Sequence, residues 1–390
     1  MQVGRLRLAN FRNYRSLELE ANPRINLFLG KNGQGKSNLL EAVYYLLNGT
    51  SYRTKRDEQL VRWGEECFFL SGEVRENGSC QIEISFSLSR QKKAAVNGKR
   101  VSSLQKMRAS FPAVIFTPEG LQTVKGAPAL RREYLDRILG VLFPEYDSLL
   151  AEYQRGLAQR NRLLRSGKSE GIEEWEDILS AAGARIVAYR FRILPLLAAE
   201  IKKSYLNIEK EKGVEVSYSS SVALDGEPFF SSSAAVEYYL QQVSGRVKNC
   251  LQSALAKNRK KDRERGFTTA GPHRDDLVFR IAGKDVRNYA SQGEQRSMAL
   301  ALRLGEAAVL EKKLGKKPVI LLDDVFSELD AERRQILVES LDLMSRQVFV
   351  TTTEISAVPR AEEILERSSL WEIREGQAYS REVFFKKRGR

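Results

Sequence analysis

The chain has 390 residues, of which 42% are apolar, and its 64 basic and 50 acidic side chains give a formal net charge of +14. This length predicts two domains, or one with a large insertion, and no apolar run approaches the ~20 residues that cross a bilayer. The N-terminal segment lacks a signal-peptide core and the three cysteines form no disulfide framework, so we expect a cytoplasmic protein without a membrane partner. The positive net charge favours a polyanionic partner, or it serves solubility alone.

The N-terminal third of the chain predicts strands around one helix. Residues 3–8 and 24–29 predict two strands joined by a short turn. Apolar residues at helical spacing follow, and Asn48-Gly49 supplies a stop signal. Alternation over 81–88, with a partner strand at 67–74, predicts an antiparallel β subdomain, and 113–116 form a short apolar strand.

The rest of the chain predicts a helical insertion followed by a return to α/β structure. Residues 127–265 are mostly helical in pattern, without heptads sustained long enough for a long coiled coil. Val319–Leu322 is typical of a strand buried on both faces, and 348–350 resemble it. The predicted fold class is α/β, with residues 1–115 and 266–390 as two parts of one domain and 116–265 as a mostly helical inserted domain.

Residues 30–37, GKNGQGKS, match the phosphate-loop pattern G-x-x-x-x-G-K-[ST]. Its glycines turn backbone N–H groups toward a phosphate, and the following helix adds its positive N-terminus. Lys36 would reach the β- and γ-phosphates of ATP, and Ser37 would bind Mg²⁺. A chance glycine-rich turn is the alternative, which the flanking strand and helix disfavour. The predicted nucleotide-binding residues here are Gly30, Lys31, Asn32, Gly33, Gln34, Gly35, Lys36, Ser37 and Asn38.

Asp323 and Asp324 directly follow the apolar strand Val319–Leu322. A carboxylate at such a strand end holds Mg²⁺ in phosphoryl-transfer sites, so Asp323 is predicted to share the metal with Ser37. Asp324 is then placed to orient the attacking water. A polar turn explains one acid equally well, but not the phosphate loop. Asp323, Asp324 and Lys36 are the predicted catalytic residues of this part of the site.

The stretch SQGEQ, residues 291–295, begins a second helix whose purpose is less obvious. Ser291 suits a helix cap, and the same N–H groups suit a γ-phosphate. In one chain a second phosphate site would be redundant, whereas a second subunit could use it to complete the first. We therefore predict an ATP-dependent homodimer in which Ser291, Gly293 and Glu294 contact nucleotide, with Ser291 also catalytic.

Several motifs resemble a known family. Residues 291–295 resemble the signature motif of ABC-type ATPases, residues 327–330 (SELD) their D-loop, and residues 8–14 (LANFRNY) their DNA-repair branch. SMC relatives carry hundreds of residues of coiled coil that are missing here. Residues 116–126 (FTPEGLQTVKG) and 271–277 (GPHRDDL) resemble the RecF family specifically. With LLDDVFSELD and the overall length, the resemblance covers nearly the whole chain.

The RecF resemblance implies a P-loop ABC-type ATPase fold and a recombination mediator. Such a protein dimerises on ATP, binds double-stranded and gapped DNA, and with RecR and RecO helps load RecA on SSB-coated strands. It implies weak, DNA-stimulated ATP hydrolysis. Arg12 and Asn13 would contact the α-phosphate or adenine, although a solvated strand end is the alternative.

The sequence departs from the transporter branch of ABC-type ATPases at three places. Asp324 stands where transporters have Glu, and Thr351–Thr353 where they have a His. Glu119 is the one candidate for their Q-loop residue. Because positioning dominates phosphoryl transfer, the shorter acid and the missing His predict slow hydrolysis, suited to a timer or clamp.

Positive residues beyond the phosphate-loop helix are candidate DNA contacts. Arg53, Lys55, Arg56 and Arg62 would face a groove shared by two subunits. Residues 257–265 form a second basic cluster, which a solvated linker explains equally well. No zinc ligands or helix-turn-helix pattern are evident, so backbone and shape recognition of duplex is expected.

Other readings stay open. His273, the only histidine, is either a structural residue held by Asp275 or Asp276 or a member of a site. An ATP-dependent nuclease would need a carboxylate cluster for two metals, and Asp275-Asp276 is the only acid pair near a candidate site. A transporter ATPase subunit is disfavoured by the N-terminal motif, the net charge and the missing His.

Overall fold

The computed structural model describes residues 1–381 except 77, 90, 102–103, 168–169, 211–212, 224–235 and 344–345. The chain forms two compact units. Unit 1 comprises Met1–Gly120 with Leu310–Arg390, and unit 2 comprises Leu121–Val309. In the part of the chain that the structure describes, no helix is long and apolar enough to cross a membrane.

The strands and helices are numbered in chain order. The strands are β1 (Gln2–Phe11), β2 (Tyr14–Glu20), β3 (Ile25–Leu29), β4 (Cys67–Arg75), β5 (Ser79–Ser87), β6 (Gln91–Val96), β7 (Lys99–Arg100), β8 (Ala113–Phe116), β9 (Val214–Ser219), β10 (Asp276–Ile281), β11 (Lys284–Asp285), β12 (Val319–Asp323), β13 (Val348–Thr352), β14 (Ser368–Arg374) and β15 (Gln377–Arg381). The helices are α1 (Lys36–Asn48), α2 (Leu104–Ser110), α3 (Leu121–Lys125), α4 (Pro128–Leu142), α5 (Tyr146–Ser166), α6 (Ile172–Glu209), α7 (Val236–Arg265), α8 (Val286–Tyr289), α9 (Gln292–Leu314), α10 (Val325–Glu328), α11 (Ala331–Leu343) and α12 (Ala361–Glu366).

Unit 1 holds two six-stranded sheets. One has the order β15-β14-β3-β13-β12-β8 and is parallel except for its edge strand β15. All five residues of β12 and all five of β13 are buried, as expected for central parallel strands. The other sheet is antiparallel, with the order β2-β1-β4-β5-β6-β7.

Helix α1 packs against both sheets of unit 1 and fills the core between them. Its residues from Leu39 to Asn48 are buried, and Gly49 ends the helix in the left-handed region, as the Asn48-Gly49 signal predicts. The core also takes aromatic rings from the antiparallel sheet, with Phe68 packed edge-on against Phe11 and Tyr45. This packing fixes the start of α1 at the carboxyl ends of the parallel strands.

Unit 2 is mostly helical, with a small antiparallel sheet in the order β11-β10-β9. Helix α6 packs against α5, α7 and β9. Arg160 of α5 is fully buried and is paired with Glu176 of α6 and Asp262 of α7. The three long helices are therefore joined by ion pairs as well as by apolar packing.

The structure divides the C-terminal part differently from the sequence prediction. Residues 266–309, assigned from the sequence to the same domain as 310–390, belong to unit 2. The reason is that β10 pairs with β9 along its whole length, and Arg131 of α4 binds Asp276 with an N–O distance of 2.7 Å. The first division falls at Gly120 rather than at residue 115.

Candidate functional site: a phosphate loop and an aspartate pair

The phosphate loop lies between β3 and α1 in unit 1, where the sequence places it. Gly33 and Gly35 have φ angles of 81° and 112°, and Gly35 is the N-cap of α1. A Cβ on Gly30 would lie 2.5 Å from the carbonyl oxygen of Ile373 on β14. These three positions therefore require glycine, and the loop leads into the positively polarised N-terminus of α1, which suits an anion.

Lys36 is buried and bends over the loop that precedes it. Its Nζ donates to the carbonyl oxygens of Gly30 at 2.7 Å and Lys31 at 3.0 Å. Burial lowers the pKa of Lys36, while the charges of Asp324 and Asp323 oppose this. The ammonium is thus held over the loop with its charge favoured by two nearby carboxylates.

Asp323, the last residue of β12, accepts hydrogen bonds from three hydroxyls. Its Oδ1 accepts from Ser37 Oγ at 2.7 Å and from Thr351 Oγ1 at 2.9 Å, and its Oδ2 accepts from Tyr52 at 2.9 Å. The pKa of Tyr52 is raised well above its usual value, chiefly by burial. The carboxylate and the Ser37 hydroxyl form a hard oxygen donor set of the kind that Mg²⁺ takes together with phosphate oxygens and waters. Ser37 and Asp323 therefore fit the metal predicted from the sequence.

Asp324 lies one residue beyond β12 and adopts a left-handed backbone with φ 50°. Its backbone N–H donates to Thr351 Oγ1 at 2.8 Å, and its carbonyl accepts from Ser327 Oγ at 2.7 Å. Burial raises the pKa of the half-buried Asp324 carboxyl group, the Ser327 hydroxyl and the charge of Lys36 lower it, and the charge of Asp323 raises it. Thr351 thus contacts both aspartates of the pair.

Asn13 lies against the phosphate loop and Arg12 against α1, and each already has protein partners. Arg12 donates to both carboxylate oxygens of Glu41 on α1, at 2.9 and 3.0 Å. Asn13 donates to the carbonyl of Gln34 at 3.2 Å and accepts from Asn38 at 2.8 Å. Neither is a plain solvated strand end, and their contact with nucleotide stays a prediction.

Three residues near this site were not singled out from the sequence. Tyr52 gives no signal, since one tyrosine after a helix is unremarkable. Glu41 is fully buried and accepts from Arg12 and Ser51, with Arg53 3.3 Å away. An acid within the apolar pattern of α1 is the signal that could have revealed it. Glu375 donates its N–H to Gln34 Oε1 at 2.8 Å and so supports the phosphate loop from the β14–β15 turn.

The signature stretch belongs to unit 2, whereas the phosphate loop and the aspartate pair belong to unit 1. Ser291 Oγ accepts from the Glu294 N–H at 3.2 Å, and Glu294 Oε2 accepts from the Ser291 N–H at 2.8 Å. This reciprocal arrangement is a capping box, and α9 begins at Gln292. The helix-cap interpretation of Ser291 is therefore correct, and its γ-phosphate role stays a prediction.

The predicted DNA contacts differ in their surroundings. Arg53 donates to Asn38 Oδ1 at 2.7 Å and lies 3.3 Å from Glu41, so it supports α1. Arg62 lies 3.5 Å from Glu65. Lys55 and Arg56 are exposed.

The second basic cluster, residues 257–265, is not a linker. It forms the last turns of α7, where Arg259 binds Glu176 and the fully buried Asp262 binds Arg160. Part of its charge therefore serves packing within unit 2.

His273 is a structural residue of unit 2, but its partners are not the ones predicted. Its Nδ1 lies 2.7 Å from the Tyr153 hydroxyl and its Nε2 lies 3.1 Å from the Thr268 carbonyl oxygen. Burial lowers the pKa of His273 to about 4. Asp275 instead accepts from Tyr218, and Asp276 binds Arg131.

Comparisons with known proteins show which family the chain resembles. The RecF/RecN/SMC N-terminal domain family matches residues 2–369. The chain is 38% identical to the DNA replication and repair protein RecF of Heliobacterium modesticaldum, covering 97% of this chain and 98% of that protein. It is 36% identical to the protein of the same name from Oceanobacillus iheyensis, covering 96% and 99%.

Comparisons with solved structures lead to the same family. The recombination mediator protein RecF of the RecFOR pathway, in its ATP form, aligns with a TM-score of 0.81 and 32% identity over 97% of this chain and 99% of that chain. Its ATPrS form gives a TM-score of 0.85 and 33% identity, with 97% of each chain covered. An Smc head bound to the C-winged helix domain of ScpA shares the fold, with a TM-score of 0.55 at 13% identity over 99% of each chain. The α/β ABC-type fold predicted from the sequence is confirmed, and the chain belongs to the RecF family.

Proposed function

We propose that this chain is an ATP-dependent, DNA-binding recombination mediator. The observation that carries the proposal is the 2.7 Å hydrogen bond between Ser37 and Asp323, which joins the phosphate loop to the aspartate pair. Two motifs far apart in sequence thereby form one candidate nucleotide site. Membership of the RecF family, whose relatives are named for DNA replication and repair, supports the rest.

In the proposed mechanism, backbone N–H groups of residues 30–38 surround the phosphates of ATP. Lys36 leaves the carbonyls of Gly30 and Lys31 and pairs with the β- and γ-phosphates. Ser37 and Asp323 would hold Mg²⁺, which would neutralise phosphate charge when bound. Asp324 then orients the attacking water.

Hydrolysis is proposed to be slow and to be stimulated by DNA. Asp324 is one methylene shorter than the Glu of transporter ATPases, and Thr351–Thr353 stand where those ATPases carry a His that would contact the γ-phosphate. Both differences would weaken the positioning of the attacking water and the γ-phosphate, and positioning of the reacting groups dominates phosphoryl transfer. Slow turnover suits a clamp that ATP closes and hydrolysis resets.

Dimerisation is proposed to depend on the γ-phosphate. Ser291, Gly293 and Glu294 of one subunit would contact the nucleotide held by the phosphate loop of a second subunit. The capping box occupies the same N–H groups, so Glu294 would have to release the Ser291 N–H as the phosphate arrives. ADP, which lacks that phosphate, would not support the dimer.

DNA binding is proposed to rest on charge and shape. The net charge of +14 favours contacts with phosphates, and the candidates are Arg53, Lys55, Arg56 and Arg62. Of these, Arg53 lies 3.3 Å from Glu41 and Arg62 lies 3.5 Å from Glu65. The preferred target would be duplex next to a single-stranded gap. RecR with RecO, and indirectly RecA and SSB, are the proposed cytoplasmic partners.

A titration of DNA binding with ATP or ADP and increasing salt tests this proposal. The expected result is ATP-dependent binding to gapped duplex whose log K falls with log[salt] by about 0.9 per neutralised phosphate. Strong dependence on base sequence with a flat salt response would contradict it. Nicking or degradation of the DNA in Mg²⁺ would instead favour an ATP-dependent nuclease.

A further inference from the structure

Trp63 is the most exposed large apolar side chain in the described part of unit 1. It is 96% exposed, whereas Tyr379 is 49% and Phe69 40% exposed. A tryptophan buries 150–250 Å² when it is packed, about as much as any side chain can contribute. Isolated exposed apolar residues are common on protein surfaces, so exposure alone assigns no role.

The turn that carries Trp63 is firmly attached to the antiparallel sheet. The Glu65 N–H donates to the Arg62 carbonyl at 3.0 Å, closing a tight turn with Trp63 and Gly64 at its tip. Gly64 has a φ of 85°, and no atom lies within 4 Å of the position a Cβ would take. The Arg62 N–H donates to Asn10 at 2.8 Å, and Asn10 Nδ2 donates to Glu65 at 3.1 Å. The Trp63 indole is therefore exposed to solvent on a turn that hydrogen bonds attach to β1.

Both acidic and basic side chains lie on the segment around this turn, and two of its acids, Asp57 and Glu65, are paired with protein groups. Lys55 and Arg56 are exposed on the segment that leads to the turn. Asp57 is paired with Lys92 at 3.0 Å, and Glu65 accepts from Asn10 and lies 3.5 Å from Arg62. Glu58 is half-buried, and Glu66 is an exposed acid at the start of β4. Exposed cations thus share the segment with an exposed indole.

We infer that Trp63 stacks on an unpaired base where duplex DNA meets a single strand, with Lys55 and Arg56 on the neighbouring phosphates. Aromatic rings beside cations are the combination that binds single-stranded nucleic acid, because every base offers a face for stacking. The net charge of +14 favours a polyanionic partner over a protein partner for this exposed ring.

The inference rests on the proposed function and refines it, because it assigns the recognition of a gap to one side chain. Bases inside a continuous duplex are already stacked on each other and offer no face. Bases at the edge of a gap do offer one. Trp63 would therefore add affinity for gapped DNA and little for continuous duplex.

Binding of fluorescein-labelled gapped and continuous duplexes, in Mg-ATP, tests the inference with three variants. Trp63→Ala is expected to weaken binding to gapped DNA about fivefold or more, since stacking on one base contributes at least that much. Its binding to continuous duplex should stay within about twofold of the parent, because the phosphate contacts remain. Trp63→Phe should retain most of the affinity, and Tyr379→Ala, a matched exposed aromatic of unit 1, should change neither substrate.

Equal weakening on both duplexes, or no weakening on gapped DNA, would overturn the inference. Normal DNA binding by Trp63→Ala with loss of ATP-dependent mass doubling would assign Trp63 to an interface with a second copy instead. If the parent protein binds no DNA in ATP, the proposed function itself is wrong, and the parent alone shows this. Because Trp63 is 96% exposed, the melting temperatures of Trp63→Ala and Trp63→Phe should match the parent.

Discussion

Glu41 offers a sharp test of how the phosphate-loop helix is held. Its carboxylate is fully buried and accepts from Arg12 Nε at 2.9 Å, Arg12 Nη2 at 3.0 Å and Ser51 Oγ. Arg53 Nη1 lies 3.3 Å from the same group. In Glu41→Gln one carboxylate oxygen becomes an NH₂ group, and in either amide orientation this donor faces an N–H of Arg12.

The size of the effect follows from these contacts. One hydrogen bond to a charged group is lost, which removes about 1.5–3 kcal/mol. Breaking a fully buried ion pair removes about 3–5 kcal/mol, but the Arg12 side chain is 20% exposed and water can solvate it in part. We therefore expect Glu41→Gln to lower the free energy of unfolding by about 2 kcal/mol.

Urea unfolding followed by circular dichroism measures this change. Glu18→Gln is the matched control, because Glu18 pairs with Arg7 at 2.9 Å while its own side chain is 45% exposed. Surface pairs of this kind contribute little, so the control should unfold near the parent's midpoint. A Glu41→Gln protein as stable as the control would refute the role of Glu41 as a support for α1 and Arg12.

Three further variants test separate parts of the molecule. Lys36→Met should abolish binding of a fluorescent ATP analogue and ATP-dependent DNA binding, since the ammonium over the phosphate loop is lost; unchanged affinity would exclude Lys36 from the site. Ser291→Arg should keep ATP binding by the monomer but stop dimerisation and hydrolysis, and normal hydrolysis would remove the signature stretch from the site. His273 has a folded pKa of about 4 against an ordinary 6.5, so its stabilisation is full above pH 6.5 and is lost as the pH falls toward 4. His273→Gln should reduce the change in the free energy of unfolding between pH 6.5 and pH 4 by about 3 kcal/mol, as measured by urea unfolding. An unchanged pH dependence would show that the fold does not lower the pKa of His273.

The sequence predicts those strands and helix ends that are marked by the residues within or next to them. The strand β8 and the buried strand β12 begin at the predicted residues, and α1 ends at Asn48 as its stop signal indicates. The strands β2, β9, β14 and β15 were not predicted. Their pairing partners define them more than their own pattern does, as with β14, which lies beside β3 from the far end of the chain.

The candidate site shows the same division between local motifs and long-range partners. The phosphate loop and Asp323 were predicted because their spacing and flanking elements are local signals. The contacts of Tyr52 and Thr351 with Asp323 were not, because they depend on how distant segments pack. The placement of 266–309 with the helical unit has the same cause, since it follows from the pairing of β10 with β9.

The solution mass of the Asp324→Asn variant, measured by light scattering in Mg-ATP and in Mg-ADP, tests most directly whether ATP joins two chains. Removing the carboxylate that we propose orients the attacking water should leave ATP bound and unhydrolysed, because Lys36, Ser37 and Asp323 are unchanged. We predict a mass that doubles in Mg-ATP only. A monomer in both nucleotides, at concentrations well above those in cells, would contradict the composite site and leave SQGEQ as a helix cap.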